Sequence, residues 1–289
     1  MDSNRITREY FDAIRLKSRL IDSDLPDLRT EFLGETFETP IMTAALSHLH
    51  TVTEAGMEKM ASAAKRAGAV YFCGMTQDDE IERIVATGAR VASIIKPFAN
   101  RGETIRQLKH NLEIGVFAIG VDIDHAYNGE GGYDNVLGDD MKPLTSAELR
   151  TLVELAGDTP FIVKGVLSAE DALKCVEIGA KALIISHHHG IMPSSVPPIK
   201  VLPEIREAVG GKITIIVDCG IESGVDAFEA LALGADAVCV GRAFMGPLKD
   251  GEDAACEAIM KMTGQLRSVM ARCGYHSLSE LDDKCLILP

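Results

Sequence analysis

The sequence has no continuous apolar run that approaches the roughly 18 residues of a membrane-spanning helix, so no membrane-embedded segment is expected. It is also short of positive charge, because 29 Lys and Arg residues stand against 43 Asp and Glu residues and give a net charge of −14. An acidic surface repels phosphate backbones and anionic lipid, which argues against nucleic acid or a membrane surface as a partner. An anionic ligand therefore has to be held by a local pocket.

Disulfide and secretion signals are also missing. None of the 7 cysteines belongs to a CxxC pair, and most of them lie in apolar runs, which is typical of buried, reduced thiols. The N-terminal segment mixes both charge signs and lacks the apolar core of a signal peptide. The sequence therefore predicts a cytoplasmic protein.

What the sequence does contain is an alternation of strand and helix patterns. Eight short runs are rich in β-branched and small apolar residues without polar alternation, as in strands buried on both faces of a parallel sheet. Capped helix patterns lie between them, for example from the N-cap Ser168 to the stop at Gly179. Eight such units predict an α/β fold of the (β/α)8 TIM barrel type, with a doubly wound sheet as the alternative. The predicted strands cover 38–45, 69–73, 90–95, 116–122, 160–165, 182–186, 213–218 and 236–241.

These patterns predict a single barrel domain over residues 1–289. Residues 1–37 are expected to form a helix and a strand-like cover over the bottom of the barrel. The barrel itself is expected to occupy 38–250, followed by a C-terminal helix and tail over 251–289.

Polar residues gather where the predicted strands end, which is where barrel enzymes carry their active sites. Six of the 8 histidines follow such ends, too many to attribute readily to packing. Asp122, Lys164 and Asp218 lie at the ends of the fourth, fifth and seventh strands. The six histidines are His48, His50, His125, His187, His188 and His189.

The ends of the seventh and eighth strands carry an anion-binding pattern. Gly220 and Gly241 follow these two strands, and glycines there let backbone N–H groups approach an anion closely. Arg242 adds a fork of donors that suits phosphate oxygens. The last two strands of a barrel commonly build a phosphate site, and we predict one here.

From Pro160 to Leu248 the sequence resembles the FMN-dependent α-hydroxy-acid oxidase and dehydrogenase family, which includes glycolate and lactate oxidases. The resemblance implies FMN as the cofactor and oxidation of a small-molecule substrate at a C–H bond. It also implies a homo-oligomer of four or more subunits, and leaves the electron acceptor open. The motifs that carry it are IVKGVLSAEDA (162–172), IISHHHG (184–190), VDCGIESGVDAFEALALGA (217–235) and GR (241–242).

The resemblance also implies roles for individual residues. His188 matches the family's catalytic base, Asp122 the carboxylate that holds it, and Lys164 the lysine beside the flavin. By the same resemblance, the remaining cofactor contacts lie in the loop after the first strand and at the end of the sixth strand. They also include the acid that binds the ribityl chain, and the glycines and arginine of the phosphate site. These positions are Ala44, Ala45, Ser186, Asp218, Gly220, Gly241 and Arg242.

The substrate side departs from the family pattern. Ile191 stands where the family has an arginine that clamps the substrate carboxylate, and the segment 125–135 offers no second arginine. Glu222 likewise replaces an arginine near the phosphate. A buried carboxylate without a cation partner is penalised by several kcal/mol. We therefore expect a neutral or differently shaped substrate, or an acid group held by His189 or His187.

Three alternatives remain open at this point. A metal-dependent hydrolase is possible on the histidine-rich rim, although no metal is favoured; the candidate ligands are His48, His50 and His187. The predicted phosphate site could instead bind NAD or a sugar phosphate, although no GxGxxG motif follows a strand. The third alternative is a non-catalytic barrel that binds flavin or another phosphate ligand.

Overall fold

The computed structural model describes all residues from 1 to 289, and its centre is the predicted barrel of eight parallel strands. Every predicted strand is confirmed, because each apolar run overlaps one observed strand, and no strand extends more than one residue beyond its run. The strands pair in sequence order around the barrel. They are β1 Ile41–Thr43, β2 Tyr71–Gly74, β3 Val91–Ile95, β4 Ala118–Asp122, β5 Phe161–Val166, β6 Ala182–Ile185, β7 Thr214–Val217 and β8 Ala237–Val240.

Helices follow the strands and cover the outside of the barrel. The predicted cap at Ser168 is confirmed, since its Oγ accepts the Asp171 backbone N–H at 3.2 Å, and Gly179 ends that helix with φ +88°. The helices are α1 Ser3–Ala13, α2 Gly56–Arg66, α3 Asp78–Ala86, α4 Arg101–Glu113, α5 Ser146–Ala156, α6 Ala169–Ile178, α7 Pro198–Val209, α8 Gly224–Ala232, α9 Arg242–Leu248 and α10 Glu252–Arg272.

The barrel closes between β1 and β2 through a short parallel contact. Thr43 N–H donates to Val70 O at 3.2 Å, and Gly74 N–H donates to Leu46 O at 3.1 Å. On its other edge β1 pairs with β8. Closure brings the carboxyl ends of all eight strands to one face of the molecule.

The N-terminal segment differs in part from the expected cover. The hairpin of Thr30–Phe32 and Glu35–Phe37 does pack at the amino end, where Phe32 lies 6.4 Å from the ring of Phe117 just before β4. The expectation is wrong for α1, which packs at the opposite, carboxyl end: Thr7 Oγ1 lies 2.8 Å from His187 Nε2. In the structure α1 buries Ser3, Thr7 and Phe11, and the sequence pattern of the segment carries no information on which end of the barrel the helix covers.

The C-terminal part packs back onto the barrel helices. Helix α10 contacts α8 and α2, and Leu286–Ile287 pairs with Arg15–Leu16. All seven cysteines are unpaired thiols, and all except Cys219 are buried. None of the helices combines the length and the apolar character needed to cross a membrane.

Candidate active site

A cavity of about 330 Å³ opens at the carboxyl ends of the barrel strands. Its walls come from the loops after β1, β6, β7 and β8 and from the end of β5. Every predicted cofactor contact except Ser186 lines it: Ala44, Ala45, Lys164, Asp218, Gly220, Gly241 and Arg242. Ser186 lies behind the wall, where its Oγ accepts the backbone N–H of His188 at 3.0 Å.

A buried carboxylate between two lysines lies at the inner end of this cavity. Asp122 and Lys164 are paired residues of β4 and β5, and Lys164 Nζ donates to Asp122 Oδ1 at 3.0 Å. Lys96, just after β3, donates to Asp122 Oδ2 at 2.6 Å. Burial opposes ionisation of Asp122, but the two lysines outweigh it and hold its pKa well below the ordinary value. Burial also opposes the charge on Lys164, yet Asp122 and nearby carboxylates raise the pKa of the lysine.

His188 joins this cluster from the loop after β6. Its backbone has φ +47°, a conformation that non-glycine residues rarely adopt and that concentrates at functional sites. Nδ1 lies 2.8 Å from Asp124 Oδ1 and 3.1 Å from Lys164 Nζ, while Asp122 Oδ1 is farther away at 3.4 Å. Asp124, two residues beyond the carboxylate expected to hold the ring, is therefore its nearer partner.

The charged groups around His188 strengthen it as a base. Burial and Lys164 oppose the charged form, but Asp122 and Asp124 outweigh them and raise the pKa of His188 above its ordinary value. Asp124 reaches this position because Gly165 leaves room for it. A Cβ at residue 165 would lie 2.6 Å from the Asp124 carboxyl carbon.

A second imidazole faces His188 on the opposite side. His125 Nε2 lies 3.2 Å from His188 Nε2, and the two rings are nearly perpendicular. His125 Nδ1 in turn lies 2.9 Å from Asp134 Oδ2. Burial, together with Lys96 and His188, lowers the pKa of His125. The structure thus contains two imidazole–carboxylate pairs in contact through their Nε2 atoms.

The outer end of the cavity has the character of an anion site. Arg242 is exposed there and makes no hydrogen bond or ion pair with the protein, so its guanidinium is available to a ligand. A Cβ at Gly220 would lie 2.7 Å from Thr7 Cγ2, so no side chain fits there, and one at Gly241 would meet Leu46 Cδ2 at a tight 3.3 Å. A buried lysine at one end and a free arginine at the other fit a flavin mononucleotide, whose negative charge is carried mainly by its phosphate.

The predicted substrate contacts divide into two kinds. His189 lines the cavity, and its Nδ1 lies 2.7 Å from Asn4 Oδ1. Ile191 does not line it and has 36% of its surface exposed. His187 is buried beneath α1, with its Nε2 against Thr7, so it does not reach the cavity.

The histidines proposed for a metal site do not converge. His48 and His50 have ring centroids 5.7 Å apart, whereas His187 lies beneath α1. Asp122, Asp124 and His188 do bring three possible donor atoms within 4.8 Å of one another. Both oxygens of Asp122, however, already bind lysine ammonium groups, which would repel a metal cation. This arrangement does not favour a metal-dependent hydrolase.

Sequence reasoning assigns no function to three residues of this cluster, Lys96, Asp124 and His125. The only sequence signal for them is their position directly after β3 and β4. That position indicates the correct face of the barrel but not the partner. The contacts depend on how far neighbouring strands are staggered, which only the structure reveals.

A barrel that joins an acid–base pair to an anion-binding end in one cavity is typical of enzymes that oxidise a substrate on a phosphate-bearing cofactor. Comparison with known proteins identifies the group. The chain belongs to the FMN-dependent dehydrogenase family, whose profile matches residues 2–156 and 133–288. It is an FMN-dependent oxidoreductase, and its cofactor is FMN.

Individual relatives agree with this assignment. The chain is 27% identical to an L-lactate oxidase of Nostoc sp., over 97% of this chain and 88% of that protein. It is 28% identical to the peroxisomal (S)-2-hydroxy-acid oxidase GLO4 of Oryza sativa subsp. japonica, over 91% of this chain and 81% of that protein. A tyrosine-to-phenylalanine variant of mandelate oxidase, solved with the monooxide FMN adduct, superposes with a TM-score of 0.90 at 26% identity, covering 100% of this chain and 92% of that one. The predicted fold, family, cofactor and enzyme class are confirmed, and the alternatives are not favoured.

Proposed function

We propose that this enzyme oxidises a substrate carbon that bears a hydroxyl or related group, with His188 as the base that takes the substrate proton. The observation that carries the proposal is the position of His188 in the cavity wall, with Nδ1 2.8 Å from Asp124. That contact orients the ring, and Nε2, which also faces His125 Nε2 at 3.2 Å, exchanges the proton. When bound, FMN accepts the electron pair of the substrate C–H bond.

The other wall residues are assigned to cofactor binding. Arg242, with the backbone at Gly220 and Gly241, would hold the phosphate, and Asp218 would accept from the ribityl hydroxyls. Lys164 would supply a buried positive charge to the ring, which favours its reduced, anionic form. The charge of Lys164 is maintained by Asp122 at 3.0 Å. In this assignment Asp122 acts mainly on Lys164, and Asp124 acts on the base.

The carboxylates around His188 support its role. They stabilise the imidazolium that forms when the ring takes up the proton, which strengthens the base. The two lysines next to them already bind Asp122, and neither carboxylate faces an arginine. The cluster therefore offers no unpaired cation to a substrate that carries its own carboxylate.

We therefore propose a neutral hydroxy compound, such as a 2-hydroxy amide or ester, as the preferred substrate class. The motif comparison supports this, because Ile191, outside the cavity wall, stands where the family has the arginine that clamps the substrate carboxylate. A related protein gives independent support: an arginine-to-leucine variant of mandelate oxidase was solved with 2-hydroxy-phenylacetamide, a neutral amide. His189 is the remaining side chain of the cavity wall that we assign to substrate contact.

Anaerobic mixing with a matched substrate panel tests both parts of the proposal. L-lactate, glycolate and mandelate are compared with lactamide and 2-hydroxy-phenylacetamide, and reduction of FMN is followed by its absorbance. We expect the amides to react faster than the corresponding acids. His188→Gln should slow reduction about 10²–10⁴-fold while FMN stays bound. Equal rates for His188→Gln and the unchanged protein would exclude His188 as the base.

A substitution at position 191 tests the proposed substrate class separately. Ile191→Arg is expected to raise kcat/KM for L-lactate about tenfold or more, because the longer arginine side chain should extend from this position outside the wall to the cavity, where a guanidinium can bind a carboxylate through two charge-assisted hydrogen bonds. Ile191→Met keeps an apolar side chain and is the control. If L-lactate is already the better substrate before substitution, the neutral-substrate proposal is wrong.

Three further features belong to the proposal. One domain over 1–289 is supported by the single apolar core that joins the barrel to both ends of the chain. A cytoplasmic location is supported by the seven unpaired thiols. A homo-oligomer of four or more subunits is supported by the family resemblance, and sedimentation of the purified enzyme tests it.

A further inference from the structure

The pair formed by His125 and Asp134 has no part in the reaction described so far, yet it touches the proposed base directly. Both side chains come from the segment that follows β4. His125 Nε2 lies 3.2 Å from His188 Nε2, and His125 Nδ1 lies 2.9 Å from Asp134 Oδ2. The four groups form one continuous line: Asp124, His188, His125 and Asp134.

We propose that His125 and Asp134 are a proton exit, which takes the substrate proton from His188 after oxidation and passes it to solvent. The proposal rests on the proposed function, because it assumes that His188 has received that proton. It adds two proton carriers to the site: His125, which contacts the proposed base, and Asp134, which contacts His125 and also orients its ring.

Each step of this exit moves one proton and no electrons. The proton on His188 Nε2 passes to His125 Nε2, and the proton on His125 Nδ1 passes to Asp134 Oδ2. Asp134 then releases a proton to water. His125, left with its proton on Nε2, returns to its starting tautomer by exchange with water.

Solvent contact explains why a second imidazole is useful. The side chain of His188 is 25% exposed, but it lies in the wall of the cavity that cofactor and substrate would fill during the reaction. His125 and Asp134 remain about one-fifth exposed, at 19% and 22% of their side-chain surfaces, on a segment whose residues 127–132 are all exposed. A proton that reaches His125 can therefore leave without crossing the cavity.

The charges around the line decide which of the two imidazoles binds the proton more strongly. His188 faces Lys164, Asp122 and Asp124, whereas His125 faces Lys96, Asp122, His188 and Asp134. The pKa of His188 is raised and that of His125 is lowered, so the proton rests on His188 and its transfer to His125 is uphill. Asp134 lowers the free-energy cost of this transfer, because its carboxylate hydrogen-bonds the charged form of His125.

Asp134 is itself held in place by its surroundings. Its Oδ1 accepts the Asn135 backbone N–H at 2.9 Å, which leaves Oδ2 for His125. Its backbone N–H donates to Ala126 O at 3.2 Å, and its backbone carbonyl accepts from Met141 N–H at 2.8 Å. These bonds fix the distance between the carboxylate and the ring, as expected of a group that orients an imidazole.

Histidine-selective ¹⁵N NMR of the FMN-bound enzyme tests the contact without any substrate, using only the proton as the probe. We expect His188 and His125 to titrate as a coupled pair in two steps. His125→Asn should convert His188 to a single step, and Asp134→Asn should lower the pKa of His125 further. Tyr127→Phe, on the same exposed segment, is the matched control and should change neither titration.

Rapid kinetics then separates this proposal from the proposed function, with 2-hydroxy-phenylacetamide as the substrate. His125→Asn should keep the first anaerobic reduction of FMN within about threefold, yet lower steady-state turnover tenfold or more, because proton release belongs to the later steps. Added imidazole buffer should restore turnover.

The outcomes are distinct. If His188 titrates identically in the unchanged enzyme, His125→Asn and Asp134→Asn, the proton exit is overturned whatever the substrate. Asp134→Asn is nearly isosteric and decides the point if His125→Asn does not fold. If the NMR coupling is present but no compound of the panel reduces FMN, the proposed function fails, and with it the assignment of the pair to substrate protons.

Discussion

Lys96 Nζ and Asp122 Oδ2 lie 2.6 Å apart in a site where both side chains are almost inaccessible to solvent. Lys164 occupies the other oxygen of the same carboxylate, so one buried anion is balanced by two cations. The additional positive charge compensates in part for Asp124, whose second oxygen is buried and has no hydrogen-bond partner. The cluster is therefore close to neutral when His188 is unprotonated.

Removal of Lys96 should show how strongly the stability of the protein depends on having two cations at Asp122. Lys96→Met leaves an Asp122 oxygen buried without a partner, and breaking a buried ion pair in this way costs about 3–5 kcal/mol. We expect that loss in the free energy of unfolding measured by urea denaturation. Arg29→Met breaks the exposed pair with Asp27 and is the control, with little expected change. A loss no larger than that of the control would mean that Asp122 does not need Lys96.

The barrel was predictable from the sequence because a strand that is buried on both faces appears as a continuous apolar run. A strand such as Val91–Ile95 is buried at all five positions, and the corresponding run has no polar alternation. The site was predictable only where glycines or motif residues marked a strand end. Lys164 and Gly220 were found in this way.

Contacts between side chains of different strands were less accessible to sequence reasoning. Asp122 was expected to hold His188, yet Asp124 is nearer because the chain turns after β4 and Gly165 makes room for it. The pairing of Lys96 with Asp122 depends on the register of β3 against β4. A one-dimensional pattern specifies the face of the barrel but not that register.

The glycine at the end of β7 is predicted to be essential for the packing of α1. Gly220→Ala places a methyl group 2.7 Å from Thr7 and 3.0 Å from Phe11, at a φ of +83°. Overpacking of this kind costs about 1–3 kcal/mol beyond the backbone strain. Gly210→Ala is a matched control, because it has φ +56° but nothing within 4 Å of the new Cβ. The free energies of unfolding of the two variants should differ by the overpacking alone; equal losses would contradict the packing argument.

The anion end of the cavity is predicted to depend on Arg242. Charge-assisted hydrogen bonds contribute about 1.5–3 kcal/mol, so Arg242→Gln should weaken FMN binding about 10–150-fold. Fluorescence titration of the FMN-free protein measures the dissociation constant. Lys249→Gln removes an exposed cation directly after the same helix and changes the net charge equally. Similar losses in both variants would show that general electrostatics, and not the position of Arg242, holds the phosphate.

Glu229 on α8 is predicted to make the stability of the protein depend on pH. Its side chain is buried, Oε2 has no partner, and burial together with Asp226 raises its pKa to about 8. The folded state therefore keeps a proton that the unfolded chain loses near the ordinary glutamate pKa of about 4.3. Between these two pKa values the unfolded state binds fewer protons, so the free energy of unfolding should fall as pH rises and level off above pH about 8.

Glu229→Gln keeps the shape of the protonated side chain and removes this proton uptake. We expect it to leave stability nearly unchanged at about pH 4.5 and to raise the free energy of unfolding by about 2 kcal/mol at about pH 8, a conservative fraction of the linkage limit. Urea denaturation at both pH values measures the difference. Glu113→Gln, at an exposed position near the end of α4, should show no such dependence. A parallel pH profile for the unchanged protein and Glu229→Gln would mean that Glu229 ionises normally in the folded state, and that Arg8 or water compensates its charge.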